Sequence, residues 1–194
     1  MSSTEPERLL ARHGELLLEI AAASIEAGLK RGCSLAVNPE RYPAELRAHH
    51  ASFVTLKKAE RLRGCVGSPE ACRALVTDVA ENAFRSGFRD TRFEPLNAAE
   101  LADLEISVSV LSRPEPFGAG TQDELLESLR PGIDGLILEE GDRRALFLPQ
   151  VWGQVTNPRE FLDALKEKAG LKRDHWSPEL GVKRFTSASL TRRP

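Results

Sequence analysis

From residue 6 to residue 30, apolar side chains return every three or four positions. Leu10, Leu17, Ile20, Ala21, Ile25 and Leu29 fall on one stripe, which predicts a helix that Gly32 stops. "NPERYPAELRAHH" interrupts the pattern, because Pro39 and Pro43 break any regular element. The period then shortens to two. "ASFVTLKK" is rich in strand-forming types, and "LRGCVG" reads as the returning arm of a hairpin across the polar "KAER". Ser68-Pro69-Glu70 has the chemistry of a helix start: a cap, a proline for the first position and an acid for the positive end of the dipole. The helix it would open places Cys72, Leu75, Val76, Val79, Ala80, Ala83 and Phe84 on one face.

"LEISVSVLS" alternates, with Leu104, Ile106, Val108 and Val110 on one face and Glu105, Ser107, Ser109 and Leu111 on the other. Thr121 and Glu124 have capping-box spacing for a short helix over 121–130. "GLILEEGDRRALFLP" predicts a hairpin around Gly141-Asp142. In "NPREFLDALKEKAGL", Asn157 caps, Pro158 begins and Gly170 ends a helix. "VKRFTSASL" is a candidate last strand. Strands joined by hairpins pair antiparallel. The expected class is therefore α+β, a mostly antiparallel sheet flanked by helices.

The 194 residues are enough for one domain with a sizeable core. A formal net charge of −2 predicts no non-specific attraction to nucleic acid or to an anionic membrane, and the 6% aromatic content gives little for RNA bases to stack on. No apolar run reaches the roughly 20 residues that span a bilayer. The N-terminal residues lack the pattern of a secretory leader. Three sparse cysteines, Cys33, Cys65 and Cys72, form neither a disulfide framework nor a metal-ligand pair. The expected setting is the reducing cytoplasm, with no metal and no cofactor.

The densest candidate chemistry is "RLRGCVGS". In an extended strand, Arg61, Arg63 and Cys65 share a face, and two guanidinium groups near a thiol favour its thiolate. A helix start just beyond would favour an anion as well. Gly64 and Gly67 leave room for a ligand or for another backbone. Two functions follow. In one, Cys65 is a nucleophile or redox thiol acting on a small substrate. In the other, the glycines and arginines hold a small anionic ligand while Cys65 only packs. Of the histidines, His49 and His50 precede the paired strand and are the ones placed to approach the thiol. In "FRDTRFEPL", Asp90 and Arg92 either bind ligand or pair with each other to pin a loop that Phe88 and Phe93 anchor. Ser109 and Gln150 complete the candidate substrate-binding set.

Five segments match a known family in consistent order: "FVTLKKAERLRGCVGSPEACRALVTDVAENA", "FRDTRFEPL", "LEISVSVLSRPEP", "GIDGLILEEGDRRALFLPQVW" and "FLDALKEKAGL". The chain resembles the AMMECR domain family from about residue 8 to residue 188, a single domain that leaves 1–7 and 189–194 as flexible tails. The resemblance implies a larger and a smaller lobe with a cleft between them. The family's "LRGC(I/V)G" motif falls on Leu62 to Gly67, and its "DPRF" motif on Asp90, Arg92 and Phe93, with Thr91 in place of the proline. Ala71 and Ala74 stand where members often carry proline. Bacterial members tend to be encoded beside a Memo-type protein and a radical SAM protein, which makes those two the expected partners. This chain has no CxxxCxxC cluster motif of its own.

Overall fold

In the computed structural model, residues 3–118 and 120–194 are described. They divide into two compact units, a larger one of residues 1–111 with 188–194 and a smaller one of residues 112–187.

The larger unit opens with helix α1 (Glu5–Arg31). Its start is a capping box: the Glu7 N–H donates to Thr4 Oγ1 at 3.4 Å and the Thr4 N–H to Glu7 Oε2 at 2.7 Å. Its end is Gly32, left-handed at φ 69°. Glu5–Glu7 therefore form the helix's first turn, and 189–192 lie in the last strand.

The predicted hairpin is present, with β1 (Ala51–Lys58) and β2 (Arg61–Gly67) antiparallel. β1 also pairs antiparallel with β3 (Leu104–Leu111). The order in this unit is β2-β1-β3-β7, so β2 is an edge strand; β7 (Gly181–Arg192) passes from the smaller unit into the larger. Val54, Leu56, Ile106, Val108 and Val110 turn one face of this sheet toward α1 and α3 (Leu75–Phe88), where they meet Leu17, Ile25, Val76 and Val79. Each such side chain contributes about 1.5–3 kcal/mol on burial. Ser24 donates its hydroxyl to the Ala80 carbonyl at 2.7 Å, and Gly28 lies where a Cβ would stand 2.2 Å from the Phe88 ring, so the two helices pack closely.

The helix start expected at Ser68 is not there. Residues 68–74 are irregular and α3 begins at Leu75, with no side-chain cap at Ala74. The Ser68 hydroxyl accepts from the Glu70 N–H at 3.1 Å, a local turn. Ala74 instead bridges His49, and the Leu75 N–H bonds the Ala48 carbonyl at 3.0 Å. Tertiary pairing outweighs a locally sound capping signature. Cys72 consequently lies exposed in this segment and not on an apolar helix face.

In the smaller unit, β5 (Asp134–Glu140) lies between β6 (Arg143–Phe147) and the first part of β7, with β4 (Glu115–Pro116) also on β7, all antiparallel. Gly141 has φ 57° at the predicted hairpin tip. Helix α4 (Gln122–Ser128) has the Thr121–Glu124 capping box, and α5 (Pro158–Lys168) is capped by Asn157. Trp152 belongs to this core, stacked on Phe161 at 4.0 Å with its indole N–H donated to the Asp134 carbonyl. The α+β class, with an antiparallel sheet flanked by helices, is what the structure has.

The β1–β2 turn has an unusual feature. Ala59 and Glu60, at φ 47° and 61°, both occupy the left-handed region that tight hairpins ordinarily give to Asn-Gly. Replacing the pair (Ala59→Asn with Glu60→Gly) should stabilise the protein by about 1 kcal/mol, measured as a higher urea midpoint at unchanged slope.

Candidate functional site

The motif strand is held from three sides. Behind it, α3 comes unusually close. A Cβ built on Gly64 would stand 2.1 Å from the Ser86 carbonyl oxygen, a backbone atom that cannot swing away. The Ser86 hydroxyl enters the β1–β2 ladder itself. It accepts from the Val66 N–H at 2.9 Å and donates to the Val54 carbonyl at 2.8 Å, replacing one direct rung. Gly67 is required for a different approach, since a Cβ there would lie 2.3 Å from the Phe53 ring. Both motif glycines thus accommodate neighbours within the fold.

On the open edge of β2, Asp90 Oδ2 accepts from the Cys65 N–H at 2.9 Å, while Arg92 donates to the Cys65 carbonyl at 3.2 Å. Arg92 also grips Asp90 through Nε at 2.9 Å and Nη2 at 2.7 Å. These Arg92 bonds hold the Asp90 carboxyl well below the usual carboxylate range, against the opposing effect of burial. At Cys65 the edge strand's outward N–H and carbonyl are both satisfied by side chains, which blocks pairing with another strand there.

Arg63 is the extra residue of a bulge: Leu56 faces Gly64 and Lys57 faces Leu62, leaving Arg63 without a partner on β1. The expected common face for Arg61, Arg63 and Cys65 is therefore corrected, since the bulge interrupts the alternation. Arg63 turns to Glu100, to which it donates from Nε at 2.7 Å and Nη2 at 3.0 Å, and Nη2 also reaches the Glu94 carbonyl. Its hydrogen bonds lower the pKa of the buried Glu100, against the opposing effect of burial. The guanidinium lies 5.9 Å from the centre of the Phe93 ring, 5.5 Å from which Arg92 also lies. Arg63 is thus spent on Glu100, and Arg92 on Asp90 and the Cys65 carbonyl.

Cys65 is half-buried, and its Sγ lies 3.2 Å from Thr55 Oγ1. The start of α3 is at Leu75, so no helix terminus adjoins the thiol as the sequence suggested. His50 lies five residues before Thr55 on the neighbouring strand, about 17 Å away along it, and His49 bridges Ala74. Neither histidine that could have approached Cys65 is brought to it.

Ser109 lies on the same sheet face as Cys65, one cross-strand row along, opposite Phe53, with its hydroxyl 2.7 Å from that of Ser189. Arg61 is exposed on β2 beyond the bulge. Gln150 is exposed in the short 3-10 turn Pro149–Gln154 of the smaller unit. Glu100, Ser86, Thr55 and Ser107 were missed by the sequence reasoning. The alternation of "LEISVSV" already put Ser107 beside Ser109, but only the fold sets Ser86 and Glu100 against the motif. Among the described residues, no group of three or more His, Cys, Asp or Glu side chains is placed to hold a metal ion, and no helix is long and apolar enough to cross a membrane.

The AMMECR1 family profile matches residues 18–190. The chain belongs to the AMMECR1 family. It is 39% identical over 176 residues to a protein of Methanothermobacter thermautotrophicus, covering 89% of this chain and 90% of that one. It is 37% identical over 189 residues to a protein of Thermococcus gammatolerans, covering 93% and 90%. The crystal structure of uncharacterized protein PH0010 from Pyrococcus horikoshii superposes with a TM-score of 0.81 at 34% identity, covering 94% of this chain and 97% of that one.

Two substitutions probe this AMMECR1 site. Gly64→Ala should destabilise the protein by about 1–3 kcal/mol, because backbone meets the new methyl; chemical denaturation reads it. Asp90→Asn should cost about 1.5–3 kcal/mol at neutral pH. Asp90's folded pKa is depressed, so its contribution is fully present above the unfolded value near 3.9 and declines as pH falls below it. The gap between wild type and variant in urea unfolding should narrow from pH 7 to pH 3.

Proposed function

We propose that the Leu62–Gly67 strand is a wall of a small-molecule binding site, and that the protein works as a binding or accessory module in which Cys65 packs with Thr55 and does not act as a nucleophile. The observation that carries this is the commitment of Arg63 and Arg92, the arginines that flank the Cys65 strand, while Arg61 lies beyond the bulge. Arg63 is bidentate to Glu100 and Arg92 to Asp90, so the charges that would activate a thiolate are paired with carboxylates. A cysteine nucleophile also needs a base within hydrogen-bond reach, and the Cys65 thiol is paired with the Thr55 hydroxyl. The expected anionic ligand loses its support for the same reason as the expected thiolate.

A screen of soluble metabolites by saturation-transfer NMR, followed by iodoacetamide labelling of Cys65 read by mass spectrometry, tests this. A metabolite that binds should slow labelling. Cys65→Ser, which keeps a hydrogen-bonding group beside Thr55, should still bind it. Arg92→Ala, which frees the motif strand's edge, should weaken binding about tenfold, or roughly 1.4 kcal/mol. Turnover of the metabolite by wild type but not by Cys65→Ser would establish the enzyme instead. The accessory form of the proposal, with a Memo-type protein and a radical SAM protein as partners, draws on the family resemblance. Co-purification with those two proteins checks it.

A further inference from the structure

Among the described residues, Lys166 on α5 is the one lysine or arginine that is fully buried. Its ammonium donates to the side-chain oxygen of Gln122 and, at 2.9 Å, to the Arg173 carbonyl, and it lies 5.7 Å from the centre of the Trp176 ring. Both acceptors are uncharged. Asp163, one turn earlier on the helix, acts on the ammonium by charge alone, and its own Oδ1 is buried with no hydrogen-bond partner among the described residues. A buried cation is ordinarily matched by a hydrogen-bonded carboxylate. Here the cation rests on neutral acceptors while a carboxylate oxygen one turn away is left unpaired. Both are costs that contact with water would remove.

What covers Lys166 is the irregular segment 172–179, of which no residue is buried. Leu171 and Leu180, both buried in the core of the smaller unit, anchor its two ends. Gly170, left-handed at φ 73°, precedes the first anchor, and Gly181 follows the second. Two backbone bonds are internal to the segment and its anchor: the His175 N–H donates to the Lys172 carbonyl and the Leu180 N–H to the Ser177 carbonyl. Among the described residues, no backbone–backbone bond joins 172–179 to the rest of the unit. Side chains make the attachment instead. Glu140, at the end of β5, bonds His175 Nε2 at 2.9 Å and accepts from the Ser177 hydroxyl, and Arg173 pairs with the exposed Glu167. Trp176 lays its ring against the core.

We propose that residues 172–179 are a lid over Lys166, latched by Glu140, which lifts as a unit between Leu171 and Leu180 while α5 and the strands beside it stay folded. Lifting breaks a few side-chain ties and no regular backbone pairing, which is the pattern of a local opening of low free energy. It gives water to the Lys166 ammonium and to the orphaned Asp163 oxygen, so part of the cost of uncovering Trp176 is offset. Lids turn on a few residues at their ends that absorb the backbone rotation, and the two glycines stand at those ends. The device belongs to the smaller unit alone and does not rest on the binding-site proposal.

Acetylation of the full chain by an N-hydroxysuccinimide ester, read lysine by lysine in a mass spectrometer, tests this together with amide hydrogen exchange. In wild type, Lys166 should be acetylated more slowly than the exposed Lys172, at a rate that low urea leaves unchanged. The His175 amide should exchange about tenfold or more faster than the Leu165 amide of α5. Glu140→Ala should speed Lys166 acetylation about tenfold relative to Lys172; should that variant fail to fold, His175→Gln serves in its place. Acetylation of Lys166 that climbs with urea along the global unfolding slope means that exposure requires unfolding, and overturns the lid. So does a His175 amide as slow as that of Leu165. Labelling of Lys166 as fast as that of Lys172 in wild type overturns the closed state, and labelling that the variant leaves unchanged overturns the latch.

Discussion

The close approach of α3 to β2 sets the terms for everything around the motif. With the Ser86 carbonyl 2.1 Å from any Gly64 Cβ, only glycine fits, and the Ser86 hydroxyl must stand in for a ladder rung between Val66 and Val54. A strand held in this way by a helix has less support from its neighbour in the sheet. Its outer edge is accordingly closed by Asp90 and Arg92, and its bulge by Arg63 and Glu100. These ion pairs are partly shielded. The Asp90 side chain is 6% exposed and that of Glu100 11%, though Arg92 is 56% exposed, so screening tempers the first pair.

The same arrangement decides what the site can do. Charges engaged in positioning backbone are poor at stabilising a thiolate or recruiting an anion, because their carboxylate partners already neutralise them. The sheet face beside them carries Cys65 with Thr55 and Ser107. A second buried network supports that face from the helix side. Asp78, 2% exposed, accepts from the Ser52 N–H at 3.1 Å, from the Ser52 hydroxyl at 2.6 Å and from Asn82 at 2.9 Å. Burial raises the Asp78 pKa and those hydrogen bonds work against it, so the network is paired well enough to keep an acid inside.

The superposable crystal structure, 34% identical, is of a protein described as uncharacterized. Family membership therefore fixes the fold. The chemistry has to be argued from side chains, which is why the commitment of Arg63 and Arg92 weighs more here than the presence of a glycine-flanked cysteine.

Periodicity and caps were enough to place α1, the β1–β2 hairpin, β3, α4, the β5–β6 hairpin, α5 and the last strand, since each is fixed by local preference and a burial pattern of period 3.6 or 2. Within the site, the sequence alone singled out Cys65, the two glycines, and an Asp90–Arg92 pair that could pin a loop. Three things only the tertiary structure decided. The Ser68-Pro69-Glu70 cap lost to pairing with Ala48 and His49, which are far away in the chain. The bulge at Arg63 removed a shared face that strict alternation promised, because a one-residue insertion reverses every side chain beyond it. And Thr55, Ser107 and Thr191 came into line with Cys65 through strand register, a relation between segments up to 136 positions apart that no window of sequence contains.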